Sequence, residues 1–207
     1  MARSKSSNRW LSEHFDDHYV KMAQQKGLRS RSAFKLMELQ EKYQLIQPGM
    51  VVVDLGAAPG GWCQVVKPAL GESGKLIALD ILEMEPIEGV EIIQGDFTEE
   101  EPLHALEDVL NGRQVDLVLS DMAPNMSGMS TIDQAKAMYL AELALEFVKA
   151  HLKPGGDYVV KLFQGTDFDV YVREVRSMFS KVQVRKPQAS RPRSREVYLL
   201  ARDRQVE

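Results

Sequence analysis

Short continuous apolar runs, each closed by an acid, recur along the chain at residues 51–54 (VVVD), 75–80 (KLIALD), 90–96 (VEIIQGD) and 115–121 (VDLVLSD). Runs of this length, bounded by turn residues, read as strands buried on both faces. Residues 157–163 (DYVVKLF) read as a fifth strand, and 181–185 and 196–201 as two more. Between the strands the apolar spacing changes to that of helices. From Ser30 or Ser32 to about Tyr43, the residues Ala33, Phe34, Leu36, Met37, Leu39 and Tyr43 share one broad face, with Lys35, Glu38 and Lys42 opposite. Further helices are predicted over 62–70, 100–110 and 168–179. A long one opens at Thr131, which forms a capping box with Gln134, and is stopped by Lys153-Pro154-Gly155-Gly156. Strands and helices in alternation predict an α/β, Rossmann-like architecture, a mostly parallel seven-stranded sheet with helices on both faces.

With 207 residues and 44% hydrophobic content, the chain suits a single domain at 29–207 preceded by a basic, partly flexible arm at 1–28. No apolar run approaches the roughly 20 residues that span a bilayer, so a cytoplasmic protein without a membrane segment is expected. The single cysteine, Cys63, excludes an internal disulfide and cannot by itself build a zinc site. His14 and His18 stand four apart without a third ligand, so no metal is expected.

Charge changes the picture more. The net charge is −4, yet residues 1–35 hold eight Lys or Arg against three acids, and residues 181–195 hold six and no acid. The rest of the chain has 12 basic against 27 acidic residues. An acidic body repels polyanions, whereas two local basic surfaces can hold one, which points to nucleic acid.

The candidate chemistry gathers where the strands end. Val51-Val52-Val53-Asp54-Leu55-Gly56-Ala57-Ala58-Pro59-Gly60-Gly61-Trp62 reads as a buried strand, a loop with almost no side chains, and the start of a helix. Gly56, Gly60 and Gly61 tolerate positive φ, and helix N–H groups face the loop, so this is a nucleotide-cofactor corner. Asp54, Asp80, Asp96 and Asp121 fall at or near four strand ends, which places them on one rim. Asp80 is suited to two ribose hydroxyls. A nicotinamide cofactor would use the same acid, but Gly56, Ala58 and Gly61 match the dinucleotide fingerprint imperfectly. Asp96 fits an adenine amino group better, in S-adenosylmethionine (SAM), whose methionine tail needs no pyrophosphate cradle. Lys161 lies inside an apolar strand, where an unpaired charge is costly, and Glu196 opens the last strand.

These residues resemble the SAM-dependent ribosomal RNA 2′-O-methyltransferases of the FtsJ/RrmJ type. The resemblance covers nearly the whole chain through Arg9-Trp10-Leu11, Arg29-Ser30-Arg31-Ser32-Ala33, residues 54–62, Gly95-Asp96-Phe97, Ser120-Asp121-Met122-Ala123-Pro124-Asn125, Lys161 and Ser194-Arg195-Glu196-Val197-Tyr198. It implies a catalytic set of Lys35, Asp121, Lys161 and Glu196, and cofactor contacts at Gly60, Trp62, Asp80, Asp96 and Asp121; Gly56 and Pro59 of the glycine loop are expected to complete the cofactor site. It also implies SAM as cofactor and a uridine ribose of large-subunit ribosomal RNA as acceptor, on the assembled subunit. The basic arm and residues 181–195 would contact RNA, and a monomer is expected.

A ribose hydroxyl is a poor nucleophile at neutral pH, so the site must align it and remove a proton. Lys161 would be base or orienter, with Lys35 and Asp121 positioning the ribose and Glu196 supporting. Carbon-5 methylation of a pyrimidine needs a cysteine nucleophile, and none follows Pro124. An exocyclic-amine methyltransferase, through Asp-Met-Ala-Pro, and an RNA-binding assembly factor without catalysis are the other readings.

Overall fold

The computed structural model describes residues 17–206. Arg9-Trp10-Leu11, His14 and most of the basic arm lie outside the described residues. Six helices and seven strands alternate in chain order among those described: α1 (His18–Gln25), α2 (Ala33–Tyr43), β1 (Val51–Leu55), α3 (Gly61–Leu70), β2 (Lys75–Asp80), β3 (Val90–Gln94), α4 (Glu100–Leu110), β4 (Val115–Ser120), α5 (Ser130–His151), β5 (Leu152–Phe163), α6 (Phe168–Met178), β6 (Phe179–Arg185) and β7 (Glu196–Arg204). The sheet order is β3-β2-β1-β4-β5-β7-β6. The first five strands pair in parallel, while β7 runs antiparallel to both β5 and β6. This is a Rossmann-like sheet, and its switch point lies between β1 and β4.

The strands read as continuous apolar runs because successive side chains enter two different cores. Val52, Leu76, Leu117, Leu119 and Tyr198 face α2 and α3, while Val53, Leu55, Ile77, Val118 and Leu199 face α4, α5 and α6.

Four departures from the sequence-based expectations bear on the site. α1 forms inside the segment read as an arm: Asp17 caps it by accepting the Tyr19 N–H at 3.0 Å, although only Val20 and Ala23 are buried. Thr131 and Gln134 make no capping box, because α5 already begins at Ser130 and has no side-chain cap. The Gln134 amide instead donates to the Phe163 carbonyl at 3.0 Å and the Thr166 carbonyl at 3.3 Å, tying α5 to the end of β5. Lys153-Pro154-Gly155-Gly156 does not cap α5 but lies in β5, where the register against β4 shifts between Val115 and Leu117. Helix stops and strand irregularities use the same residues. Finally, Lys35 is buried in α2 beside Leu36 and Leu39 rather than turned away from the core.

No helix among the described residues is long and apolar enough to cross a membrane.

Candidate active site

The carboxyl ends of β1 to β4 open onto a cavity of about 490 Å³ lined by Gly56, Ala58, Asp80, Asp96, Phe97 and Asp121, with Ile81, Leu82, Met122 and Tyr139 among its apolar walls. The volume lies within the range of small-molecule sites. Asp80 ends β2, and its carboxylate is fixed on both sides, accepting the Ala58 N–H at 2.9 Å and the Leu82 N–H at 2.8 Å. One carboxylate thereby latches the glycine loop to the strand end, and each of its oxygens keeps further acceptor capacity where the residue lines the cavity. Asp96 is set by Thr98, whose N–H and hydroxyl both donate to its Oδ1, at 2.9 and 2.7 Å. A carboxylate at the end of β2, a second beyond β3 and apolar walls suit the ribose and the base of a nucleoside.

Three other residues expected at this cavity lie off it. The Pro59 carbonyl turns outward to the Arg29 guanidinium, which also donates to the carbonyls of Glu85 and Pro86, at 3.2, 2.6 and 2.9 Å respectively. Arg29 therefore braces the glycine loop, although its charge was counted in the basic flank. Gly60, at φ +104°, sits beneath Ile87, Met84 and Arg29. Trp62 is buried, donates its indole N–H to the Ser32 carbonyl at 2.9 Å and packs on the Tyr198 ring with centroids 5.8 Å apart. Gly61 is the first residue of α3 and not a positive-φ position; its lack of a side chain admits Ser30.

Asp54 is corrected as a rim residue. It is fully buried within β1 and accepts from the Cys63 thiol at 3.4 Å, and its other oxygen has no partner. Burial, opposed by the thiol hydrogen bond and reinforced by Asp121 and Asp80, pushes its carboxyl up to about 7. The folded-state pKa is raised, so the stabilising contribution of the protonated group is full below the unfolded pKa near 3.8, declines as pH rises, and is gone above about 7. Asp54→Asn cannot ionise. Its stability advantage over wild type should grow by about 2–3 kcal/mol between about pH 5 and about pH 8. Denaturant unfolding at the two pH values checks this, and parallel pH profiles would contradict it.

Beside the cavity, five polar side chains form a continuous chain. The Lys161 ammonium donates to the backbone carbonyl of Asp121 at 2.7 Å and lies 3.2 Å from its Oδ1. The same Oδ1 accepts the Tyr198 hydroxyl at 2.7 Å. Lys35 reaches that hydroxyl at 3.3 Å and pairs with Glu196 at 2.5 Å. The backbone explains why these groups meet. In the antiparallel β5–β7 ladder Lys161 stands opposite Tyr198, and Glu196 lies two residues along β7 on the same face. α2 lays Lys35 over that face, and Asp121 follows β4, the other neighbour of β5.

All four predicted catalytic residues are therefore brought together, and Tyr198 joins them unpredicted. Its signal was present, since Tyr198 is polar at its tip in the otherwise apolar run VYLLA that follows Glu196, but its partner is set by the strand register. Burial, with Asp121 and Glu196 adding to it, pushes the Tyr198 hydroxyl well above its ordinary value, so it remains a donor. Burial pushes the Glu196 carboxyl up, but Lys35 first and Lys161 after it outweigh this and hold it below the usual range. Asp121 lines the cavity and also bonds Lys161 and Tyr198, which makes it the hinge between the cavity and the polar chain.

The family model described as FtsJ-like methyltransferase matches residues 28–204. The chain is 62% identical over 200 residues to a ribosomal RNA large subunit methyltransferase E of Alkalilimnicola ehrlichii, covering 97% of this chain and 96% of that protein. It is 59% identical over 202 residues to the protein of the same name from Pseudomonas aeruginosa, covering 98% of each. A crystal structure described as a ribosomal RNA methyltransferase from Plasmodium falciparum superposes with a TM-score of 0.75 at 30% identity, over 85% of this chain and 98% of that one.

Proposed function

Since the chain belongs to the FtsJ-like methyltransferase family, we propose that it methylates the 2′-hydroxyl of a uridine ribose in large-subunit ribosomal RNA, using SAM. The observation that carries this reading is the chain Lys161–Asp121–Tyr198–Lys35–Glu196 set against a nucleoside-sized cavity. Support for the RNA comes from the relatives, whose names specify ribosomal RNA of the large subunit. The uridine and the 2′-oxygen rest on the resemblance together with the chemistry of the site.

Asp80 would hold the cofactor ribose, Asp96 with Phe97 the adenine, and Gly56 and Asp121 the methionine end. Bound there, SAM supplies a methyl group on a sulfonium leaving group. Every other requirement falls to the protein. Lys35 and Tyr198 hold the acceptor ribose from the α2 side, and Asp121 orients Lys161 through two contacts. Lys161, reacting as the uncharged amine, takes the proton of the 2′-hydroxyl and becomes an ammonium, and Glu196 balances the charge of Lys35, so that after transfer the two ammonium groups stand against the carboxylates of Asp121 and Glu196. A thiol route is unsupported, because Cys63 is buried against Asp54, away from this set.

The test is transfer of labelled methyl from SAM to naked ribosomal RNA, to the large subunit and to the whole ribosome, followed by nucleoside analysis. We expect 2′-O-methyluridine, with the assembled subunit as the best acceptor. Label on a base amine would favour the exocyclic-amine reading. Binding of RNA without any transfer would favour an assembly factor that has lost catalysis.

A further inference from the structure

The basic surface inferred from composition is partly spent inside the protein. Arg185 donates to the Tyr43 hydroxyl at 2.5 Å, and Lys186 donates to the carbonyls of Pro192 and Ser194 at 3.0 and 2.6 Å. Arg31, in the turn before α2, and Arg191, between β6 and β7, converge on a single atom. The Arg31 Nη1 lies 3.0 Å from Asp17 Oδ2, and the Arg191 Nε lies 3.5 Å from the same oxygen. Arg31 is further held by the Ala189 carbonyl and lies over the Tyr19 ring at 5.8 Å, while its Nε is buried with no hydrogen-bond partner. It precedes α2, the helix that carries Lys35, and it lies close enough to Glu196 to feel its charge.

Two guanidiniums closing on one carboxylate oxygen are the arrangement that receives a phosphate. We propose that Arg31 and Arg191 form a seat for one backbone phosphate of the acceptor RNA, and that the carboxylate of Asp17 fills this seat until RNA displaces it. The proposal rests on the RNA reading above and adds a specific contact and a competitor within the chain. Asp17 is suited to leaving. It stands at the start of α1, which buries only Val20 and Ala23, so opening this end exposes little apolar surface. A phosphate brings more charge and more acceptor oxygens to the same two side chains than one carboxylate.

Asp17 also caps α1 through its other oxygen, accepting the Tyr19 N–H. Asparagine caps a helix about as well as aspartate, so Asp17→Asn removes the charge and keeps the cap. The experiment measures binding of an unmodified large-subunit RNA fragment, without SAM, to wild type, Asp17→Asn, Arg191→Gln and the double variant, with thermal unfolding of each. Asp17→Asn should bind about fivefold tighter, the size expected on freeing a partly exposed ion pair, with a melting temperature lower by no more than about 2–4 °C. Arg191→Gln should weaken binding, and in its background Asp17→Asn should gain no more than about twofold. If Asp17→Asn lowers the melting temperature by more than this, Asp17→Ser, also a strong cap, replaces it.

Unchanged or weaker binding by the uncharged Asp17 variants overturns the proposal. So does a full gain that persists without Arg191, or a wild type that does not bind the RNA at all. Failure of methyl transfer alongside the predicted binding pattern would count against the methylation reading and leave the seat standing.

Discussion

Lys161→Ala is expected to slow methyl transfer by about 1000-fold or more, within the range set by removing a positioned proton acceptor, while SAM affinity stays within about twofold. The separation follows from position. Lys161 does not line the cavity, and its contacts run to the Asp121 carbonyl and carboxylate, opposite Tyr198 in the sheet. Truncation removes the proposed base and leaves the Asp121 carboxylate with the Tyr198 hydroxyl. Lys161→Met keeps the stem and its packing, so it distinguishes lost proton transfer from lost structure. Single-turnover transfer of labelled methyl together with calorimetric SAM binding measures both quantities. Turnover within about tenfold of wild type would move the base to another group, with Lys35 the first candidate.

The second large effect is expected at Gly56, where backbone approaches backbone. At φ +77° an L side chain is strained, and an added Cβ would lie 2.7 Å from the Met122 nitrogen and 2.8 Å from its Cα. Neither side can yield easily, because β1 and β4 are paired through Leu55 and Ser120 immediately before these residues, and the Asp121 N–H is bonded to the Leu55 carbonyl. Gly56→Ala should therefore cost about 2–4 kcal/mol of stability and abolish measurable SAM binding by displacing Met122 and Asp121 together. Gly27→Ala is the control. It shares a positive φ of +65° but has open space around the new Cβ, so it carries the conformational strain without the collision. Thermal unfolding and SAM titration of the pair separate the two causes. Equal losses in both variants would show that strain alone is responsible.

The sheet was legible in the sequence because a strand buried on both faces leaves a continuous apolar run, and the acids that close those runs mark the rim. Asp80, Asp96 and Asp121 do line the cavity. Asp54 closes a similar run yet lies within its strand, a distinction that periodicity does not carry. The reading of Lys35 failed for a related reason. A helical projection ranks faces by apolarity, but α2 also meets β7, where Glu196 and Tyr198 make a polar surface that accepts a buried lysine. Tyr198 was missed because its role depends on standing opposite Lys161, a pairing between residues 37 positions apart. Charge counting overstated the basic flanks, because a composition does not distinguish the Arg29 guanidinium that braces the glycine loop from one open to a ligand.

The position of β7 has a temporal side. It lies between β5 and β6 but follows both in the chain, so those two strands cannot take their places relative to each other until β7 enters between them. A nascent polypeptide made only as far as β6 already holds the carboxylates of Asp80, Asp96 and Asp121, yet it lacks both Glu196 and Tyr198. Synthesis runs from the N-terminus, so every residue lining the cavity is made before Glu196 and Tyr198. A copy that ends before β7 therefore carries no complete set of the proposed reacting groups, whatever it holds of the cavity rim.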